Sequence, residues 1–268
     1  MAYVDCTYKS PNFIEHEVYF AGKYGAKGEK RAKKEKATPL EIKKNNQWNR
    51  IKRLRRTLQL NFYAGDYWVT FKYKSGTRKD IKSVKLDIKK CLDGLRKKYK
   101  ARGASLMFVY RIEIGKRGGL HCHMVINRIQ DGDLLMREAW KKATDDAGSI
   151  DYTTIEESGG FDGLAEYICK LPDEQIPGQM YFDVLEEDHK KIIAISTSRN
   201  LKRPEPVKRE YSHWTIKRIL SGENKIKPAA GFYIDKDSIK RGINKFTGLS
   251  YLYYTEIRIK KVKRESYG

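Results

Sequence analysis

From Tyr67 onward the apolar positions of the chain switch between two periods. Runs of period two at 67–73, 106–114, 120–127 and 149–155 predict strands, because alternate residues of a strand share a face. Ile81, Val84, Ile88, Cys91, Leu95 and Tyr99 recur at helical spacing and predict a helix over 79–99, and a second helix is expected over 133–146. The resulting order is β-α-β-β-α-β. It predicts an α+β, ferredoxin-like (RRM-like) core with one central antiparallel five-stranded sheet and helices packed mainly on one face. The first and third strands of that arrangement are central neighbours, so Thr70 should lie beside the strand at 120–127. Phe161, Leu164, Ile168 and Leu171 extend the pattern as a helix over 162–171, with Asp162 as its cap and Pro172 as its stop. Lys190-Lys191-Ile192-Ile193-Ala194-Ile195-Ser196 reads as the fifth strand.

Outside this core the pattern is sparser. Residues 23–36 are rich in Lys, Gly and Glu and are expected to form a mobile basic arm or loop. Thr38-Pro39-Leu40-Glu41 carries the marks of a capping box and starts a helix. Trp48, Ile51, Leu54 and Leu58 form one face of that helix, and Arg50, Lys52, Arg53, Arg55 and Arg56 crowd the rest, a surface suited to DNA. After Pro204 a short helix near Trp214–Leu220 and a late strand over Tyr251–Lys260 are expected. The chain therefore divides into a basic N-terminal extension (1–60), a core domain (61–205) and a C-terminal extension (206–268).

Charge and cysteine content narrow the partners. A formal net charge of +22 over 268 residues implies a polyanion, and phosphate backbones are the usual one. No apolar run is long enough to span a bilayer and the N-terminus lacks a signal-peptide core, so a cytoplasmic protein is expected. Cys6, Cys91, Cys122 and Cys169 form no C-x-x-C pair, which argues for reduced, buried thiols.

The candidate chemistry sits in Gly119-Leu120-His121-Cys122-His123. Alternation puts both imidazoles on one strand face and Cys122 on the other. The preceding strand contains Arg111 and Glu113, and Gly115-Lys116-Arg117-Gly118-Gly119 reads as a hairpin loop. If the hairpin closes symmetrically about Arg117, Glu113 faces His121 and Arg111 faces His123. One carboxylate and two imidazoles suit a divalent cation. Downstream, Tyr167 and Lys170 are helical neighbours off the apolar stripe.

Four segments carry a resemblance to a known family: Trp68-Val69-Thr70-Phe71-Lys72-Tyr73; Glu113 with His121-Cys122-His123; Tyr167-Ile168-Cys169-Lys170; and Ser198-Arg199-Asn200-Leu201-Lys202-Arg203-Pro204. Together they resemble the HUH endonucleases, and within them the single-tyrosine rolling-circle replication initiators of plasmids, phages and integrated elements. They span about half the chain, in the family's order, with Cys122 standing where the family usually carries a bulkier apolar residue. The resemblance implies that Glu113, His121 and His123 hold Mn²⁺ or Mg²⁺. Tyr167 then attacks a phosphodiester of single-stranded DNA, helped by Lys170, to leave a 5′-phosphotyrosyl link and a free 3′-hydroxyl. Thr70, Lys72, Arg111, Arg117, Arg199, Asn200, Lys202 and Arg203 are expected to contact the DNA. The implied partners are an origin hairpin, a host helicase, since the chain has no Walker A motif, and a host polymerase.

Three other readings are separable. A transposase or conjugative relaxase shares this chemistry on another substrate. A non-catalytic RRM-like module would need aromatic residues where the histidines stand. A zinc deaminase needs H-x-E and P-C-x-x-C, and neither occurs.

Overall fold

The computed structural model describes residues 3–22, 32–115, 118–156, 161–170, 194–221, 223 and 225–263. They form two compact units, one built from Asn61–Lys202 and the other from Met1–Leu60 with Arg203–Val262. Each unit has its own five-stranded antiparallel sheet. The single central sheet expected from the sequence is thus corrected to two, and the stretches expected as terminal extensions together make the second.

In the 61–202 unit the order is β3 (Tyr67–Tyr73), α2 (Ile81–Ala101), β4 (Phe108–Ile114), β5 (Leu120–Ile126), α3 (Gly132–Ala143), β6 (Gly148–Thr154), α4 (Asp162–Cys169) and β7 (Ser196–Thr197). The strands lie side by side as β6-β3-β5-β4-β7. Asp80 caps α2 by accepting from the Ser83 amide at 2.9 Å, and the helix buries the whole expected stripe from Ile81 to Tyr99. One sheet face carries Val69, Phe71, Ile112, Cys122 and Met124 into a core with Leu95 of α2 and Met136 and Trp140 of α3. Every second strand residue goes there. The intervening residues are left for the opposite face, over which α4 lies.

Three local expectations change. The helix expected to be capped by Asp162 has Phe161 at its N-cap, left-handed at φ 68° and without a side-chain cap bond, and Asp162 is its first helical residue. That helix ends at Cys169, and Leu171 and Pro172 lie outside the described residues. Of the fifth strand expected at 190–196, residues 190–193 also lie outside, and the strand described is Ser196–Thr197, paired to β4.

The second unit contains β1 (Tyr3–Lys9), β2 (Phe13–Phe20), α1 (Pro39–Asn61), β8 (Val207–Tyr211), α5 (His213–Ser221), β9 (Phe232–Asn244) and β10 (Leu249–Arg258). Its strands are ordered β8-β1-β2-β10-β9. The capping box forms as read: Thr38 and Glu41 exchange hydrogen bonds at the start of α1, from the Thr38 amide at 2.9 Å and the Glu41 amide at 3.3 Å. On one sheet face Tyr3, Val18 and Leu252 pack with Ile216 of α5. On the other, Glu15 and Glu17 of β2 meet α1. Arg56 bonds Glu15 at 2.7 Å and Glu17 at 2.8 Å, Arg55 bonds Glu15 at 2.8 Å, and Lys52 pairs with Glu17. Of the arm expected at 23–36, residues 23–31 lie outside the described residues. All four cysteines are free and buried. No helix among the described residues is long and apolar enough to cross a membrane.

Truncating Arg56 strands buried Glu15 and is expected to cost about 3–5 kcal/mol, read by urea unfolding. Burial pushes the Glu17 carboxyl up, but Arg56 and Lys52 outweigh it and hold it below its ordinary value. Its contribution is therefore present above the unfolded carboxyl pKa, about 4.3, and is lost as pH falls through the lower folded value. Thermal unfolding between pH 6 and 2 should show this acid loss, and Arg56→Ala should flatten it.

Candidate metal centre and nucleophile

The antiparallel register builds the site. In the β4–β5 hairpin Glu113 pairs with His121 and Arg111 with His123, and in the β3–β5 pair Thr70 lies opposite His123. These are the pairings that symmetric closure about Arg117 and central strand adjacency lead one to expect. Arg117 itself lies outside the described residues, as does Lys116. The turn depends on Gly118, whose φ of +76° few side chains tolerate. Gly115 leaves room for the His121 ring, whose Cε1 would stand 3.2 Å from a Cβ at that position.

The three ligand-type side chains converge. The Glu113 Oε2 is 3.1 Å from His123 Nε2 and 3.9 Å from His121 Nε2, and the three ligand atoms all lie within 4.8 Å of one another. Adjacent ligands of an octahedral ion at 2.0–2.1 Å stand about 3 Å apart, so a small contraction of this set accommodates Mg²⁺ or Mn²⁺. It is the one such group among the described residues. Burial pushes the Glu113 carboxyl up, but the hydrogen bond and charge of His123, joined by Tyr167 and His121, prevail and hold it at about 2. Burial and the neighbouring His123 push His121 below its ordinary value, against the pull of Glu113. Both shifts favour the ligating forms, carboxylate and neutral imidazole, near pH 7.

Thr70, expected to touch DNA, instead has its hydroxyl 3.1 Å from His123 Nδ1. A proton shared there leaves Nε2 turned to Glu113, the arrangement by which outer partners fix a ligating histidine. Trp68, two residues earlier on the same strand face, stacks on the His123 ring with centroids 5.3 Å apart and planes within 6°. Sequence reasoning places Trp68 in the motif strand without giving it a role. The period-two spacing from Thr70 is the signal that could have done so.

Helix α4 brings the phenol in. The Tyr167 hydroxyl lies 3.0 Å from Glu113 Oε2, to which it donates, and 3.1 Å from His123 Nε2. Its ring meets Trp68 and His123 edge to face, and its side chain is 41% exposed, so the approach from solvent is open. Burial and then the Glu113 charge push the phenol up to about 12, with Arg111 pulling the other way.

Arg111 is the clearest correction to the DNA-contact set. It is only 3% exposed, and its guanidinium donates to the carbonyls of Ile168, at 3.1 Å, and Lys170. These carbonyls lie at the C-terminal end of α4, where a cation is favoured and acceptors lack helical partners. Arg111 therefore holds the helix that carries Tyr167. Lys170 leaves the helix in an extended conformation (φ −51°, ψ 134°), and among the described residues its ammonium makes no hydrogen bond or ion pair with the cradle.

The remaining expected contacts are distributed along the unit. Lys72 pairs with Asp151 of the adjacent strand. Ser198 and Asn200 dock the Ser-Arg-Asn-Leu run to the sheet, with the Phe108 amide donating to Ser198 Oγ at 3.1 Å and Asn200 Nδ2 donating to Leu106 O at 3.1 Å. Arg199 is left exposed. Lys202 exchanges backbone hydrogen bonds with the Asn61 amide side chain, at 2.8 and 2.9 Å, and it and Arg203 are exposed.

Residues 66–172, about two fifths of the chain, match the family described as replication-associated protein ORF2. That segment contains Trp68, Thr70, Arg111, Glu113, both histidines and Tyr167, and the match is consistent with a protein of DNA replication. No curated protein and no solved structure matches the chain.

Replacing Thr70 by Val should weaken Mn²⁺ binding by about 10- to 100-fold in calorimetry, since Nδ1 loses its partner. In chelated protein Tyr167→Phe removes a donor from the Glu113 carboxylate. Its titration, followed by carboxyl-carbon NMR, should therefore move up from about 2.

Proposed function

We propose that this protein is a replication initiator that nicks and rejoins single-stranded DNA at an origin through a 5′-phosphotyrosyl intermediate on Tyr167. The observation that carries this reading is the contact of the Tyr167 hydroxyl with both Glu113 Oε2 and His123 Nε2. A tyrosine that merely packs its helix would bury its ring and turn its hydroxyl to a backbone partner or to water. The family match to a replication-associated protein supplies the biological setting. We read the β6-β3-β5-β4 order and its crossing helices as the ferredoxin-like arrangement.

Glu113, His121 and His123 would hold Mn²⁺ or Mg²⁺. When bound, the ion supplies charge neutralisation at the scissile phosphate and orients the leaving oxygen. The protein's own residues do the rest. Thr70 and Trp68 hold His123 in one orientation, and Arg111 fixes the helix so that the phenol oxygen stays at the cradle. In the reaction Tyr167 Oη forms a bond to phosphorus, the bond from phosphorus to O3′ breaks, the phenolic proton leaves Oη, and O3′ takes up a proton as the free hydroxyl. The aryl phosphodiester keeps the energy of the broken bond, because a phenol of pKa about 10 leaves far more readily than an aliphatic alcohol. A 3′-hydroxyl attacking the same phosphorus reverses the step and reseals the strand without ATP. Until then that hydroxyl is a primer end for a polymerase. The raised pKa of Tyr167 in the ion-free cradle follows in part from the uncompensated charge of Glu113, so a cation held there favours the phenolate.

Incubation with end-labelled single-stranded DNA and Mn²⁺, resolved on a denaturing gel, tests this. A covalent adduct is expected, lost with chelator and lost in Tyr167→Phe. His121→Ala and His123→Ala should retain DNA in native gels and fail to cut it, because the basic surface supplies affinity and the cradle supplies chemistry. Cutting by Tyr167→Phe at the wild-type rate would overturn the proposal.

A further inference from the structure

The second unit contains a cavity of about 470 Å³ between α1 and the strands β1 and β2, and strand cutting makes no use of it. Its inner wall is an ion-pair lattice. Lys52 and Arg56 meet the one carboxylate that lines the cavity, Glu17, while the ring of Tyr8 stacks under the Arg56 guanidinium at 3.6 Å. Toward solvent the lining changes to Asn46, Asn49, Arg50 and Arg53. These four stand three or four residues apart along α1, so two amides and two guanidinium groups converge on one stripe of the helix. Four cationic side chains line the cavity against a single carboxylate, so an anion is favoured within it.

The residue types define that anion further. Guanidinium groups match phosphate oxygens in paired, planar geometry, and amides offer a donor and an acceptor together, as the edge of a nucleobase requires. Pockets for small ligands run to about 300–1,000 Å³, and a single nucleotide lies in that range. A stacked duplex presents a convex surface and no base that can enter a recess, whereas an unpaired nucleotide can be splayed out and read on its edge. We propose that this cavity binds one unpaired nucleotide of a DNA strand, with Arg50 and Arg53 on its phosphates and Asn46 and Asn49 on the edge of its base. The inference goes beyond strand cutting and is separable from it, because binding at the cavity needs no cation.

Fluorescence anisotropy of a labelled single-stranded oligonucleotide, with EDTA present throughout, tests it on the full chain. Arg50→Ala/Arg53→Ala should weaken binding by about tenfold or more and lower the log–log salt slope by about 1.4, the value for two phosphate contacts on a single strand. Lys89→Ala/Lys90→Ala removes the same charge from exposed positions of α2 and should have a much smaller effect. Asn46→Ala/Asn49→Ala should leave the salt slope unchanged and flatten the preference among dA, dC and dT homopolymers. Should the arginine-to-alanine pair fail to fold by circular dichroism, Arg50→Gln/Arg53→Gln carries the same two readouts. Equal losses in the cavity and control pairs would overturn the proposal. So would a duplex, or a free mononucleotide, competing as well as the single strand.

Discussion

The geometry at the cradle depends on one buried cation. Helix α4 has only eight residues, too few to persist alone in water, and it buries just Ala165, Ile168 and Cys169 against its surroundings. Arg111 reaches up from the middle of β4 and ties down the carbonyls of Ile168 and Lys170, on either side of the helix end. A guanidinium so deeply buried is stable only with such acceptors, and the carbonyls at a helix end need donors. Each need is met by the other, and the consequence is positional: Tyr167, one residue before Ile168, is held with its hydroxyl among the metal-ligand atoms.

The sheet supplies the second constraint. Because strand side chains alternate, Cys122 and Met124 enter the core with α2 and α3, and His121 and His123 cannot follow them. The same rule on the neighbouring strands puts Arg111 and Glu113, and Trp68 and Thr70, on the cradle face. A slip of one residue in either pairing would bury the histidines and expose the core, so the apolar face fixes the register that the site requires. The stability of the core and the geometry of the cradle are thus two readings of one hydrogen-bond ladder.

This explains what is legible in the sequence. The hairpin pairings and the opposed face of Cys122 follow from period two alone, and the stripe of α2 from period 3.6. Arg111 escapes such reading because a charged residue near a histidine motif suggests a phosphate, and only the three-dimensional arrival of α4 shows its carbonyl partners. The strands of the second unit are hidden for a related reason. Asp5 and Glu15 occupy buried positions in β1 and β2, balanced by His16, Arg55 and Arg56, so the apolar alternation that marks a half-buried strand is broken. β9 is polar on both faces as an edge strand, and β10 joins β2 across more than two hundred residues of sequence, a pairing no local pattern encodes.

The central claim is that the cation site and the phenol are one place. Mn²⁺ titrated into protein with ¹³C-labelled tyrosine rings, with NMR relaxation followed ring by ring, measures this without DNA or turnover. The account predicts that the Tyr167 resonance broadens first, at substoichiometric Mn²⁺, and that Glu113→Ala abolishes the effect. Broadening of other rings while Tyr167 stays sharp would contradict it.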